Sequence, residues 1–281
     1  MKIPVRDTYN KKSIMPSDAQ LIDTLLDVCH RLHRSGMVAA NDGNVSVLCD
    51  DGNYLTSVTG VSKGEMTARH IVKVNRSGEP LEEGKKPSSE LRMHLAIYLD
   101  RPDVRAVVHA HPLYATGFAA AGLALDRCVL PEIVMTLGSI PLADYGTPST
   151  EEVPEAVAKW IGAADAVLLS NHGAVTVGPD LMEAFYKMER IEHYAHICFI
   201  ARQLGGERLL TPVEVEKIYQ LREDSGMTNR NPGCWTCDAE IPGSCVGDAC
   251  VNYPSGRDNF AVEVRKKVRA ILGNGKHINP S

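Results

Sequence analysis

No run of apolar residues in these 281 amino acids is long enough to cross a bilayer, and the opening MKIPVRDTYNKKS lacks the apolar core of a secretory signal. A cytoplasmic protein without a membrane partner is the expectation. Positive charge is not in excess either, since 30 Lys and Arg stand against 35 Asp and Glu, for a formal net charge of −5. That balance offers neither nucleic acid nor an anionic membrane a whole-chain attraction, which leaves a small-molecule substrate. With 44% hydrophobic and 23% charged residues the composition is globular, and the length allows one large domain with additions or two smaller ones.

What is present is an alternation of element types. Ser17 with Gln20 forms a capping-box pattern, Leu21, Leu25, Val28 and Leu32 recur at helical spacing, and Gly36 is placed to end a first helix. NVSVLCDDGNYLTSV reads as two strands around a turn, and HIVKVNRSGEPL as a strand, a turn and a short strand. SSELRMHLAIYLDRPD is a helix capped by Ser88 or Ser89 and stopped before Pro102, and VRAVVHAH is a strand. TEEVPEAVAKWIGAA, PDLMEAFYKMERIEHYAHICFIARQL and TPVEVEKIYQLRED read as helices, with ADAVLLSNHGAVTVG as strand, turn and strand. Helices interleaved with hairpin-linked strands predict a three-layer α/β/α fold around a mostly antiparallel or mixed sheet.

Two histidines interrupt the apolar strand VVHAHP. Side chains alternate along a strand, so His109 and His111 share a face. A shared reason for two imidazoles is a metal, and His172 in the glycine-containing turn LLSNHGAV supplies the third nitrogen of a zinc site with a position open for chemistry. His193 and His196, three residues apart on a long helix, read as helix surface or packing. Glu90 opens a helix after Ser88 and Ser89, a place that suits an anion and one where the helix dipole alone also favours an acid. NDGNVS and SVTGVS are small-residue loops at strand ends, whose backbone N–H groups can hold phosphate oxygens.

The ordered series GNVS, TG, SSE, HAHP and NHG, spread over roughly residues 15 to 224, resembles the class II aldolase/adducin family, nearest to its L-fuculose-1-phosphate aldolase branch. The resemblance implies phosphate contacts from Gly43, Asn44, Thr59, Gly60, Ser88 and Ser89, zinc ligands His109, His111 and His172, and an acid/base Glu90 that also touches the metal at rest. It further implies a homotetramer with active sites at subunit interfaces, and retro-aldol cleavage of L-fuculose or L-rhamnulose 1-phosphate to dihydroxyacetone phosphate and L-lactaldehyde. The related 4-epimerases carry SSD where this chain has SSE. A sugar-phosphate epimerase, a decarboxylase and a non-catalytic adducin-like interaction module are the alternatives on the same fold. Tyr145 matches a tyrosine common in the family, whereas CVLPEIVM and LREDSGM carry none where the branch places its helper tyrosines.

Residues 1–224 are thus expected to form the catalytic domain, 225–257 a Cys/Gly/Pro-rich linker, 258–273 an amphipathic helix and 274–281 a tail. Phe260, Val264, Val268, Ile271 and Leu272 give that helix an apolar face, to fold back on its own subunit, to dock on a partner, or to lie on a membrane surface. As a docking helix it resembles the encapsulation peptides that bind shell proteins of bacterial microcompartments, which would place the enzyme in a microcompartment lumen. Cys29, Cys49, Cys128 and Cys198 lie in apolar pattern as small hydrophobes of a reducing compartment. Cys234, Cys237, Cys245 and Cys250, spaced C-x2-C-x7-C-x4-C, suit structural zinc or an iron–sulfur cluster, reversible disulfides, or unliganded thiols.

Overall fold

Local chemistry starts and stops the first helix as its sequence predicts. In the computed structural model, which describes residues 16–234, α1 (Asp18–Arg34) begins with reciprocal bonds between Ser17 and Gln20, and Gly36 follows its end with φ +68°. Leu21, Leu25, Val28 and Leu32 form its buried face. β1 (Asn44–Leu48) and β2 (Tyr54–Ser57) make the expected hairpin, and β3 (Ile71–Val74) pairs with β2. The short strand expected after the next turn is only a bridge between Val74 and Pro80. A turn at Asn75–Glu79 leaves too few residues to continue the ladder before the chain departs.

α2 (Leu91–Asp100) corrects one detail of the sequence reading, because Glu90 itself is the N-cap and no serine side chain caps the helix in the usual way. Ser88 Oγ accepts the Glu90 N–H instead, at 3.3 Å. β4 (Ala106–Ala110) follows, then α3 (Leu113–Ala120), α4 (Pro131–Thr136), β5 (Leu142–Ala143), α5 (Glu152–Ala158), β6 (Ala166–Leu169), β7 (Gly173–Gly178), α6 (Leu181–Gln203) and α7 (Pro212–Asp224). α3 and α4 have no counterpart in the sequence expectation, since LYATGFAA and PEIVMT are too short and too apolar for a helical period to show.

The strands form a seven-stranded sheet in the order β3-β2-β1-β4-β7-β6-β5, antiparallel except for β5 beside β6. Alternation sorts its side chains onto two faces. Val45, Val47, Ala106, Val108 and Ala174 pack with α1, α3 and α6 on one side, and Val107, Val175 and Val177 pack with α2 and α5 on the other. The α/β/α layering is as expected from the sequence. β4, at the middle of the sheet, is wholly buried along all five residues.

The segment after α7 does not leave the domain at Asp224. Arg222 donates to the Met135 carbonyl, Asn229 and Asn231 donate to the carbonyls of Thr136 and Val134, and Ser139 N–H donates to the Gly233 carbonyl at 2.5 Å. Cys234 is disulfide-bonded to Cys128. This corrects the reading of Cys128 as an isolated small hydrophobe, and it removes Cys234 from a metal-ligand set with Cys237, Cys245 and Cys250. Those three cysteines, the amphipathic helix with Phe260, Val264, Val268, Ile271 and Leu272, and the terminal tail lie outside the described residues. No helix among the described residues is long and apolar enough to cross a membrane.

Candidate metal centre and active site

The strand register brings the motif residues together. Asn44 on β1 is paired with His109 on β4, and His109 with Val175 on β7, so the start of β1, the end of β4 and the turn before β7 share one end of the sheet. His109, His111 and His172 converge there, with ligand nitrogens all within 4.8 Å of one another. His109 Nδ1 lies 2.9 Å from the Ala174 carbonyl, an acceptor that fixes the proton on Nδ1 and turns the Nε2 lone pair into the cluster. His111 presents Nε2 3.2 Å from His109 Nε2, while its Nδ1 lies 3.5 Å from Asp42. Three imidazoles whose nitrogens converge, one braced by a backbone carbonyl and one facing a carboxylate, are a donor set that fits a divalent metal.

Two glycines make the convergence sterically feasible. A Cβ on Gly173 would stand 2.5 Å from the Ala110 carbonyl and 2.6 Å from His111 Cδ2. Gly43, at φ +73°, has the His109 carbonyl 2.9 Å from where its Cβ would be.

Glu90 enters from the α2 layer. Its Oε1 is 3.1 Å from His172 Nε2 and its Oε2 is 3.4 Å from His109 Nε2, and the Asn44 amide donates to Oε2 at 2.8 Å. Burial disfavours charge on this carboxyl, yet the His109 and His172 imidazoles outweigh it and hold its pKa far below the usual carboxylate range. His111 is pushed down to about 4 by burial and by the neighbouring His109 and His172, so it is neutral at physiological pH, the state a metal requires.

The proposed phosphate loops gather around the start of α2. Thr59 N–H donates to the Lys86 carbonyl, Val58 bridges Pro87, and Ser89 Oγ lies 2.8 Å from Ser149 Oγ. Lys63, with only 1% exposure, donates to the carbonyls of Asn41 and Val61 and so ties the loop before Gly43 to the loop after Gly60. Burial lowers its pKa, against the pull of Cys29, Asp42 and Glu90.

The family model for the class II aldolase and adducin N-terminal domain matches residues 23–199. The chain belongs to that family. A 3-oxo-tetronate 4-phosphate decarboxylase of Pectobacterium atrosepticum is 35% identical over 190 residues, covering 66% of this chain and 85% of its own length. An L-fuculose phosphate aldolase of Methanococcus maripaludis is 37% identical over 181 residues, or 64% of this chain and 96% of that one. The solved structure of an L-fuculose 1-phosphate aldolase superposes with a TM-score of 0.68 at 29% identity, covering 75% of this chain and 99% of that one. Within this family the three-histidine cluster is consistent with a divalent metal site.

Sequence reasoning missed the support beneath Glu90. One turn further along α2, His94 Nδ1 is 2.7 Å from Ser46 Oγ, which is 2.8 Å from the Tyr98 hydroxyl. All three are buried. The signal was in the spacing: Asn44 and Ser46 share a strand face, Glu90 and His94 share a helix face, and the two pairs match rung for rung. Tyr145 is exposed, and His196 stacks on Tyr114 with ring centroids 3.7 Å apart, as a packing role requires.

Proposed function

We propose that the chain is a zinc-dependent lyase that cleaves a 6-deoxy-ketohexose 1-phosphate, L-fuculose or L-rhamnulose 1-phosphate, to dihydroxyacetone phosphate and L-lactaldehyde. The observation that carries the reading is the Glu90 carboxylate held by Asn44 against two of the three clustered histidines. His109, His111 and His172 hold the metal, which when bound supplies Lewis-acid stabilisation for negative charge developing on the substrate's ketone oxygen. Glu90 carries the proton to and from the enediolate carbon of the three-carbon fragment, and Asn44 fixes which of its oxygens faces that carbon. Gly43, Asn44, Thr59, Gly60, Ser88 and Ser89 hold the phosphate, so binding energy remote from the breaking bond positions it. Because the Ser88 oxygen accepts the Glu90 N–H, its hydroxyl proton is free to donate to a phosphate oxygen.

A second reading rests on the decarboxylase relative. Loss of carbon dioxide from a 3-oxo-tetronate 4-phosphate leaves the same enediolate of dihydroxyacetone phosphate. Glu90 would then deliver the proton and the two reactions would differ only in the leaving fragment. The proposed assembly is a homotetramer. Leu113 at 72% and Leu204 at 82% exposure, with Phe199 and Ile200 between them on the α3 and α6 side, leave apolar surface that a second copy would cover. Docking of the C-terminal helix to a microcompartment shell protein rests on the sequence pattern alone.

The deciding assay follows dihydroxyacetone phosphate release from L-fuculose 1-phosphate, L-rhamnulose 1-phosphate and 3-oxo-tetronate 4-phosphate, with and without chelator, beside Glu90→Gln. Chelator-sensitive release from a ketose phosphate that collapses in the variant supports the aldolase. Release from the oxo-acid alone moves the assignment to decarboxylation, and release from none of the three overturns both.

A further inference from the structure

We propose, on the reading of Gly43, Asn44, Thr59 and Gly60 as phosphate contacts, that Lys63 is the buried counter-charge of that phosphate site. It acts as a positioning residue, holding the two glycine loops at a fixed spacing, and its own charge is compensated when a phosphate dianion binds between them. Gly43, Asn44, Thr59 and Gly60, with Ser88 and Ser89, offer hydroxyls, an amide and backbone N–H groups but no positive charge. Neutral donors alone leave a dianion short of the charge that would offset its lost water.

The geometry puts a cation directly behind these donors. Lys63 opens a one-turn helix, Lys63–Glu65, three residues after Gly60, and its side chain turns inward to 1% exposure. Its ammonium donates to the Asn41 and Val61 carbonyls, each at 3.1 Å, so one nitrogen clamps the loop that leads to Gly43 against the loop that follows Gly60. A trans peptide points its C=O and N–H in opposite directions. Drawing the Val61 carbonyl inward therefore turns the Ser62 N–H away from the ammonium, and among the described residues that N–H has no acceptor.

The charge is not balanced where it sits. Among the described residues no carboxylate pairs with the Lys63 nitrogen, and the two acids that feel its field are engaged elsewhere, Asp42 beside His111 and Glu90 between His109 and His172. A side chain needed only to tie two carbonyls could be a neutral amide, with less desolvation to overcome. A cation kept there without an acid favours the state in which an anion occupies the loops, and it does so through the loops, without touching the substrate.

The test uses the full chain with zinc bound, inorganic phosphate as the probe, and the variants Lys63→Gln, Lys63→Met and Lys63→Arg. Calorimetric titration reads phosphate affinity, and melts with and without phosphate read stability. Phosphate is expected to bind and stabilise the parent. In Lys63→Gln and Lys63→Met its affinity should fall about tenfold or more, with zinc content unchanged, and Lys63→Arg should recover part of the loss. Without phosphate, Lys63→Gln should melt level with the parent or above it. A merely structural lysine gives the reverse, a lower melting temperature without phosphate and an unchanged phosphate affinity, and that pattern overturns the proposal. A measurement on the parent does not depend on the neutral variants folding. With 13C at lysine Cε, the Lys63 signal, assigned by its absence in Lys63→Arg, should move with phosphate along the same binding curve, and a signal that stays still while phosphate binds overturns the proposal. Phosphate that neither binds nor stabilises the parent overturns the reading of the loops, and the role of Lys63 with it.

Discussion

The side-chain amide of Asn44 and the carboxylate of Glu90 face each other across 2.8 Å, joining the first residue of β1 to the N-cap of α2. Without that bond Glu90 is free to rotate between its two histidine neighbours. Asn44→Ala is therefore expected to lower kcat about 10- to 100-fold while metal content stays near that of the parent. Asn44→Asp should be worse, because a second carboxylate faces the first. Steady-state kinetics with metal analysis on the same samples checks both, and unchanged kcat in Asn44→Ala would sink the positioning role.

His109 lies in a strand with no exposed residue and His111 directly follows that strand, so their removal should cost metal more than fold. His111→Ala is expected to purify with less than about a tenth of the parent's metal and to lose the stabilisation that added zinc gives the parent. At free zinc 100-fold above Kd that stabilisation is about 2.7 kcal/mol. Metal analysis and thermal melts with and without zinc read it.

Gly173→Ala tests the close packing at the third ligand. The added Cβ meets the Ala110 carbonyl backbone and the His111 ring at distances that real Cβ atoms do not adopt, so β7 and β4 must part or His111 must move. Zinc affinity should fall at least tenfold by competition with a chelating dye. Full affinity in a folded variant would show that the turn relaxes.

His94 predicts an acid limb of stability. Burial holds its pKa at about 3 in the folded protein, against about 6.5 when unfolded, with the charge of His109 adding to the effect and Glu90 opposing it. The unfolded chain binds the proton more readily, so stability falls as pH drops from about 6.5 towards about 3, by up to about 1.4 kcal/mol per pH unit from this group. His94→Gln should flatten that limb. Urea melts between pH 7 and pH 4 compare the slopes, and parallel slopes would assign the limb elsewhere.

Asp165 is the keystone of a buried ion network, accepting from Arg101 and from Lys187, each at 2.7 Å. Asp165→Ala leaves two buried cations short of their shared carboxylate. Although Asp103 still pairs with Arg101, a loss of about 3–5 kcal/mol is expected from the urea midpoint.

What the sequence discloses here follows the range of the interaction. Ser17 and Gln20 define a helix start three residues apart, and the convergence of His109 and His111 was legible from their spacing, although the strand ends at Ala110 and His111 lies just beyond it. The Gly43, Gly60, Ser88 and His172 motifs were legible through their order along the chain. Ser46 and His94 are 48 residues apart, and Arg101 and Asp165 are 64 apart. Each is an ordinary polar residue until the fold brings its partner. Cys128 and Cys234 illustrate the same limit, since an apolar context and a clustered context gave no reason to pair one with the other.

β7 lies between β4 and β6 in the sheet but is made after both. During synthesis β4 therefore waits with one side unpaired for more than 60 residues, between Ala110 and Gly173. A ribosome that has released only the first 170 residues holds a chain with two of the three clustered histidines and an exposed, apolar strand edge, which is a template for wrong pairing. The insertion of one strand thus completes the sheet, hides that edge and brings His172 to His109 and His111. In the nascent chain, completion of the three-histidine cluster and escape from aggregation are the same event.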